Sequence, residues 1–172
     1  KDESGEFLKL TKDSDSWTVY DKSGTEFKFG QTSQSKQTNS HGTFAWYLEK
    51  VKDVHGNTIL YTYTQDLGEV YLSRIDYNGN ETQNFNSTHA VEFTYETRPD
   101  NTFLYITGSR VETNKRLKDI VVRVQGQASR YYHLLYEQSP IVGRSRLTSV
   151  QECGTDGSTC LPATTFSYEN SS

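Results

Sequence analysis

The sequence predicts an all-β fold, an antiparallel meander of β-hairpin repeats that forms one large twisted or curved sheet. Three observations predict it. Apolar and aromatic residues alternate at period two, as in Phe27/Phe29, Tyr61/Tyr63, Phe93/Tyr95 and Tyr132/Leu134/Tyr136, which places each set on one face of a strand. Turn sequences separate these runs: Asp21-Lys22-Ser23-Gly24, Asp53-Val54-His55-Gly56-Asn57, Asn78-Gly79-Asn80 and Gln125-Gly126-Gln127. Asn and Gly reach positive φ at little cost, so hairpins follow. No stretch of helical length carries a sustained apolar stripe.

In order along the chain, strands are expected at Trp17–Tyr20, Glu26–Phe29, Phe44–Lys52 and Thr58–Thr64. The first four share a grammar: a Trp strand turns at Asp-x-x-Gly into an aromatic strand. The Asp accepts backbone amides of the turn, and the Gly takes the left-handed position. Between them, Gln31 to Gly42 is polar and reads as a mobile loop. Further strands are expected at Leu72–Tyr77, Ala90–Glu96, Leu117–Val124, Arg130–Glu137, Arg146–Glu152 and Thr164–Tyr168. Arg98-Pro99-Asp100 should end the strand before it. Phe103 to Ile106 would then dock on the core or form an extra strand.

The strands also repeat. Ile59-Leu60-Tyr61-Thr62-Tyr63 is followed by Tyr71-Leu72-Ser73-Arg74-Ile75, and Val91-Glu92-Phe93-Thr94-Tyr95-Glu96 by Arg116-Leu117-Lys118-Asp119-Ile120. Tyr132-His133-Leu134-Leu135-Tyr136-Glu137 is followed by Arg146-Leu147-Thr148-Ser149-Val150, and Thr165-Phe166-Ser167-Tyr168-Glu169 repeats the aromatic phrase. Residues 1–172 are expected to form a single β-repeat domain that is a fragment of a larger protein. Its predicted core is Trp17, Trp46, Leu72, Ile75, Leu117, Ile120, Leu147 and Val150.

Composition supports folding over disorder. Only 33% of residues are hydrophobic, but 13% are aromatic and twelve are tyrosines, whose rings cover a core while the hydroxyl stays wet. A net charge of −4 with no basic stripe argues against nucleic acid as the partner. No apolar run approaches the length of a membrane span.

At Asp53-Val54-His55-Gly56-Asn57-Thr58-Ile59-Leu60-Tyr61-Thr62-Tyr63 and Tyr71 to Tyr77 the sequence resembles the Rhs/YD-repeat idiom. Phe93 to Asp100, Arg116 to Ile120 and Ser145 to Gly154, in that order, resemble the SpvB-like region of virulence-plasmid B proteins, which the B subunits of insecticidal toxin complexes share. The likeness runs from about Trp17 to Tyr168. It implies a secreted or surface bacterial protein in which repeated hairpins build a long sheet that curls into a shell around a toxic C-terminal segment. It further implies that this region is scaffold. Its partners would be flanking repeats of its own polypeptide and other toxin-complex subunits, and it carries over no catalytic residue and no cofactor.

The chemistry legible in single residues is thin. Cys153 and Cys160 flank Gly154-Thr155-Asp156-Gly157-Ser158-Thr159, a turn sequence that either a disulfide closes or two free thiols border. His41, His55, His89 and His133 are scattered without metal-ligand spacing, and no Gly-x-Ser-x-Gly elbow or phosphate loop occurs. Asp76, Glu92, Glu96 and Glu137 lie on strands, where two facing carboxylates would suit glycoside cleavage and solvated charge is the plainer reading. Asp13, Asp15 and Asp100 are the candidates for calcium, but the glycine and terminal Glu of an EF-hand loop are missing. Tyr47, Tyr131 and Tyr132 are candidates for stacking on sugar rings. A non-catalytic scaffold therefore leads, a carbohydrate-binding module is its rival, and a glycoside-acting enzyme comes third.

Overall fold

The structure, a computed structural model, describes residues 8–169. It is an antiparallel meander. Eleven strands lie in one sheet: β1 (Lys9–Asp13), β2 (Ser16–Tyr20), β3 (Glu26–Phe29), β6 (Leu48–Lys52), β7 (Asn57–Asp66), β8 (Glu69–Asn80), β9 (His89–Ile106), β10 (Ser109–Val124), β11 (Gln127–Gln138), β12 (Ser145–Cys153) and β13 (Thr164–Thr165). Between β3 and β6 the chain makes an excursion, a 3₁₀ turn at Ser33–Ser35 and a separate ribbon of β4 (Lys36–Asn39) and β5 (Gly42–Trp46).

The turns form as their residues dictate. Asp21 Oδ1 accepts the amides of Ser23 and Thr25 at 2.9 Å each, and Asp53 Oδ1 accepts those of His55 (2.9 Å) and Asn57 (2.8 Å). Gly24 and Gly56 take φ of 83° and 85° in these two turns. Three hairpins close through two-residue loops with both φ positive, Leu67-Gly68, Thr107-Gly108 and Gln125-Gly126, the primed turn that matches strand twist.

Five expectations are corrected. Phe44–Lys52 is two strands, because the Tyr47 amide donates to Ser35 O (2.8 Å) and its carbonyl accepts from Gly30 (3.0 Å), which takes it out of the ladder. Gln31 to Gly42 is ordered into the 3₁₀ turn and β4, held where Glu49 Oε2 accepts the amides of Gln31 and Thr32 (2.7 and 2.9 Å) and the Ser35 hydroxyl (2.6 Å). Asn78-Gly79-Asn80 stays inside β8, and the chain turns after it. β9 continues past Pro99 through a bulge, in which residues 98–101 stand unpaired opposite Asn114, so no ladder amide is missed. The last strand is β13, shorter than Thr164–Tyr168, although Phe166 still donates to Thr148 O (2.9 Å). β1 was not expected, since Leu10 is its only apolar residue.

The core is the largest correction. Trp17, Trp46, Leu72, Ile75, Leu117, Ile120, Leu147 and Val150 are all half-buried, and none is buried. The buried hydrophobic residues are Tyr71, Ala90, Val111, Val121 and Cys153. The β4–β5 excursion packs on one part of the long sheet, where Trp46 meets Trp17 and Gln37 Nε2 donates to the Gly68 carbonyl, and most of the sheet's side chains are half-buried. Truncating Leu117 should therefore cost less than the ~2–5 kcal/mol of a fully buried leucine.

Each leucine strand also carries a bulge one residue after its leucine. The register skips Glu49, Ser73, Lys118 and Thr148, after Leu48, Leu72, Leu117 and Leu147. A bulge bends its strand and increases the local twist. The four recur at equivalent positions of their strands.

Candidate interaction surface

The ladder assigns residues to two unlike faces. Register partners share a face, so Val19, Phe27, Val51 and Ile59 form one row, continued by Ile75, Val91, Val122, Ile120, Phe93, Tyr132, Leu134 and Val150. This is an apolar face. A hollow of about 500 Å³ indents it, lined by Val51, Ile59, Tyr77 and His89 among others. The opposite face is ionic. Glu26 lies 3.6 Å from Lys28 and 3.5 Å from Lys52, Arg74 pairs with Asp76 (2.8 Å) and with Glu92, and Arg123 reaches Glu92 at 2.6 Å.

Between the faces, a tyrosine latch recurs four times. Tyr63, Tyr95, Tyr136 and Tyr168 donate their hydroxyls to the carbonyls of Leu48, Leu72, Leu117 and Leu147, at 2.5, 2.7, 2.6 and 2.8 Å. In each case the ladder between the leucine strand and the following aromatic strand ends two residues after the leucine: Lys50↔Leu60, Arg74↔Glu92, Asp119↔His133 and Ser149↔Thr165. The tyrosine stands three residues beyond that last pair. The strands splay there, and the phenol bridges the gap.

The residue before each leucine covers the ring. Tyr47 packs on Tyr63 and Tyr71 on Tyr95, with centroids 5.5 and 5.2 Å apart, and Arg116 and Arg146 lie 4.5 and 4.7 Å over Tyr136 and Tyr168. Burial pushes the Tyr63 hydroxyl up to about 12 and raises those of Tyr95 and Tyr136. Sequence reasoning missed this unit, although its signal stands in the chain as Tyr47-Leu48, Tyr71-Leu72, Arg116-Leu117 and Arg146-Leu147.

The structure does not bring the three candidate stacking tyrosines together. Tyr47 is half-buried, donates to Gln37 Oε1 (2.9 Å) and serves the first latch. Tyr131 and Tyr132 are consecutive on β11 and face opposite sides. Four strands separate β6 from β11, roughly 24 Å. Tyr131 stacks on His133 at 6.0 Å, while Tyr132 sits between Ile120 and Glu152. The Cys153 and Cys160 sulfurs are at bonding distance, 1.94 Å.

The titratable groups are engaged with neighbours. Besides Asp76 and Glu92, Glu96 is held by Arg116 and Glu137 by Arg146, each at 2.6 Å. Asp15 Oδ2 accepts from Thr43 (2.7 Å) and Lys36 (3.1 Å). Asp100 is nearly buried, and its Arg98 partner (2.7 Å), with the Ser145 amide and hydroxyl, holds its carboxyl well below the usual range. His133 lies between Asp119 (2.6 Å) and the Gly157 carbonyl (3.1 Å); Asp119 is the chief reason its pKa is raised. Among the described residues, no three His, Cys, Asp or Glu side chains cluster to hold a metal ion, and no helix is long and apolar enough to cross a membrane.

A family model described as SpvB, Salmonella virulence plasmid 65kDa B protein, matches residues 6–118. The N-terminal domain of the effector protein SpvB from Salmonella typhimurium strain LT2 superposes with a TM-score of 0.72 at 16% identity, over 87% of this chain and 66% of that one. A chain of the Photorhabdus luminescens Tc holotoxin pore gives 0.77 at 17% identity, over 95% of this chain and 11% of that one. The TcdB2-TccC3 crystal structure gives 0.73 at 16% identity, over 92% and 11%. These likenesses establish the fold, and the chain spans only a small part of the Tc polypeptides. No curated protein sequence matches.

Proposed function

The chain belongs to the SpvB family of Salmonella virulence plasmid 65kDa B proteins, and from that premise we propose that it is a non-catalytic wall segment of a secreted bacterial toxin or surface protein. The observation that carries the reading is the repeated unit: a bulged leucine strand, a splay and a tyrosine latch. Bulges at equivalent positions bend successive hairpins alike, and latches lock the splays that the bending opens. That is a means of building a curved single-layer wall from short repeats. An apolar face and an ionic face give such a wall two unlike sides.

The natural partners of this wall are flanking repeats of its own polypeptide and other subunits of a toxin complex. Residues 1–172 would be one domain-sized stretch of it, in keeping with relatives whose chains extend far beyond the matched part. A disulfide between Cys153 and Cys160 would place the chain in an oxidising compartment outside the cytosol. The arginine-held carboxylates favour scaffold over glycoside cleavage, and the scattering of Tyr47, Tyr131 and Tyr132 favours it over a sugar platform.

Two measurements test this. Extending the chain by adjoining repeats should raise its unfolding midpoint, because repeat stability sums nearest-neighbour interfaces; an unchanged midpoint counts against the wall. A glycan panel should show no binding. Binding that disappears in Tyr131→Ala or Tyr132→Ala would transfer the chain to the carbohydrate-binding class.

A further inference from the structure

The hairpin of β9 and β10 outgrows its sheet. β8 pairs with β9 only as far as Glu92, and β11 pairs with β10 only from Asp119 onward. Beyond those points the two strands continue alone as a ribbon to the Thr107-Gly108 turn. On its β10 side the ribbon is pinned. The Glu112 amide donates to Leu67 O (3.1 Å), Thr113 to Glu69 (2.8 Å), and Lys115 pairs with Asp66 (2.9 Å). On its β9 side the last tie before the turn is Asp100 to Ser145, and at the turn Asn39 Nδ2 donates to the Thr107 carbonyl (2.9 Å).

Between those two ties the β9 edge is open. Ile106 and Ser109 flank a two-residue turn, so they form a hydrogen-bonded pair and the pairs alternate from there. The phase turns the N–H and C=O of Phe103 and Tyr105 outward. It also turns Glu112 outward on the other strand, and the Glu112–Leu67 bond confirms that phase. No described residue meets the outward groups of Phe103 and Tyr105. Thr102 to Ile106 carries no charge, and Phe103, Leu104 and Tyr105 are 55%, 67% and 73% exposed. Proteins normally blunt such an edge with Lys, Pro or a bulge; here Pro99 and the bulge both lie short of it.

We propose that this edge is an interface for a second copy of the chain, which adds its own Thr102 to Ile106 antiparallel, centred on Leu104. The open groups are symmetric about Leu104, so Phe103 meets Tyr105 of the second copy, and each such pair exchanges two backbone hydrogen bonds. The contact is self-complementary, as a twofold requires. Charge is complementary too. Each row across the joined sheet runs Arg110, Tyr105, then Phe103 and Glu112 of the second copy, with a cation at one end and an anion at the other. Within one chain Arg110 already lies 4.7 Å over Phe103 and 2.8 Å from Glu112. On the opposite face the two Leu104 side chains meet. Five paired residues bury less than the ~1,200 Å² of a stable interface, so the dimer is weak and forms with rising concentration.

Sedimentation equilibrium of the whole chain, from about 5 to about 500 μM, tests it. The weight-average mass should climb from one chain toward two. Leu104→Lys and Leu104→Glu each place like charges opposite each other, and each should stay monomeric throughout; mixing them in equal amounts should restore association. In the unmodified chain, the Phe103 and Tyr105 amides should gain about tenfold protection from exchange at high concentration, while Leu104 does not. A chain monomeric at the top of the range overturns the proposal, as do single variants that associate normally or a mixture that stays monomeric. Protection that appears on Val51, Ile75 and Val91 instead would assign association to the apolar face and overturn it as well.

Discussion

Tyr95→Phe isolates one latch. The substitution removes the hydroxyl that donates 2.7 Å to Leu72 O and leaves the ring, so the edge contact with Tyr71 at 5.2 Å survives. A typical hydrogen bond contributes ~0.5–1.5 kcal/mol net, and a carbonyl left without its donor costs ~1–3 kcal/mol when water is kept out. Tyr95 is half-buried, so water partly replaces the phenol and the expected loss is about 1–1.5 kcal/mol. For a chain of this size, that lowers the thermal midpoint by roughly 2–6 °C. The assay is urea unfolding followed by tryptophan fluorescence and far-UV circular dichroism, with Tyr61→Phe as control. The Tyr61 hydroxyl has no protein partner among the described residues, so its loss should stay within about 0.5 kcal/mol. Tyr63→Phe and Tyr136→Phe should behave like Tyr95→Phe, and pairs of them should add, because each latch joins a different pair of strands. If Tyr95→Phe is as silent as Tyr61→Phe, the latch does not hold the splay and the repeat argument fails with it.

The alkaline limb of stability should report on Tyr63. Its folded pKa is about 12 against an ordinary 10.0, so its contribution is complete below pH 10 and drains as pH rises through the folded value; Tyr63→Phe should lessen that loss relative to the parent chain. His133 behaves in the same sense near neutrality. Its pKa is raised above 6.5 chiefly by Asp119, so its contribution is complete below that value and is lost as pH climbs through the folded pKa. Asp119→Asn should move the imidazole NMR titration downward, and an unmoved curve would refute the pairing. Replacing Cys153 and Cys160 by serine opens a loop of sequence separation 7 and should cost about 2–3 kcal/mol; two reactive thiols found in the unreduced protein would show that no crosslink existed.

What the sequence by itself determined is local. Period-two alternation located most strands because neighbouring side chains on a strand face opposite ways, whatever lies beyond it. Asp21 to Gly24 and Asp53 to Gly56 announced their turns because an Asp side chain and a left-handed Gly close a turn with no help from distant residues. The aromatic and leucine phrases announced the repeat, and Cys153 and Cys160 announced a loop whose ends meet. Tertiary structure decided the rest. Pro99 passes through β9 because residues 98–101 bulge out of the ladder opposite Asn114, where no amide is called on. Tyr47 leaves its strand because Ser35 and Gly30 claim its backbone. Trp17, Leu72 and Leu117 match the pattern of core residues, yet stay half-buried. Alternation says which face of a strand a side chain occupies; whether anything covers that face depends on surfaces remote in sequence. The latches belong to both levels: the Tyr-Leu and Arg-Leu pairs are written in the chain, but their role appears only where two strands part and a phenol spans the gap.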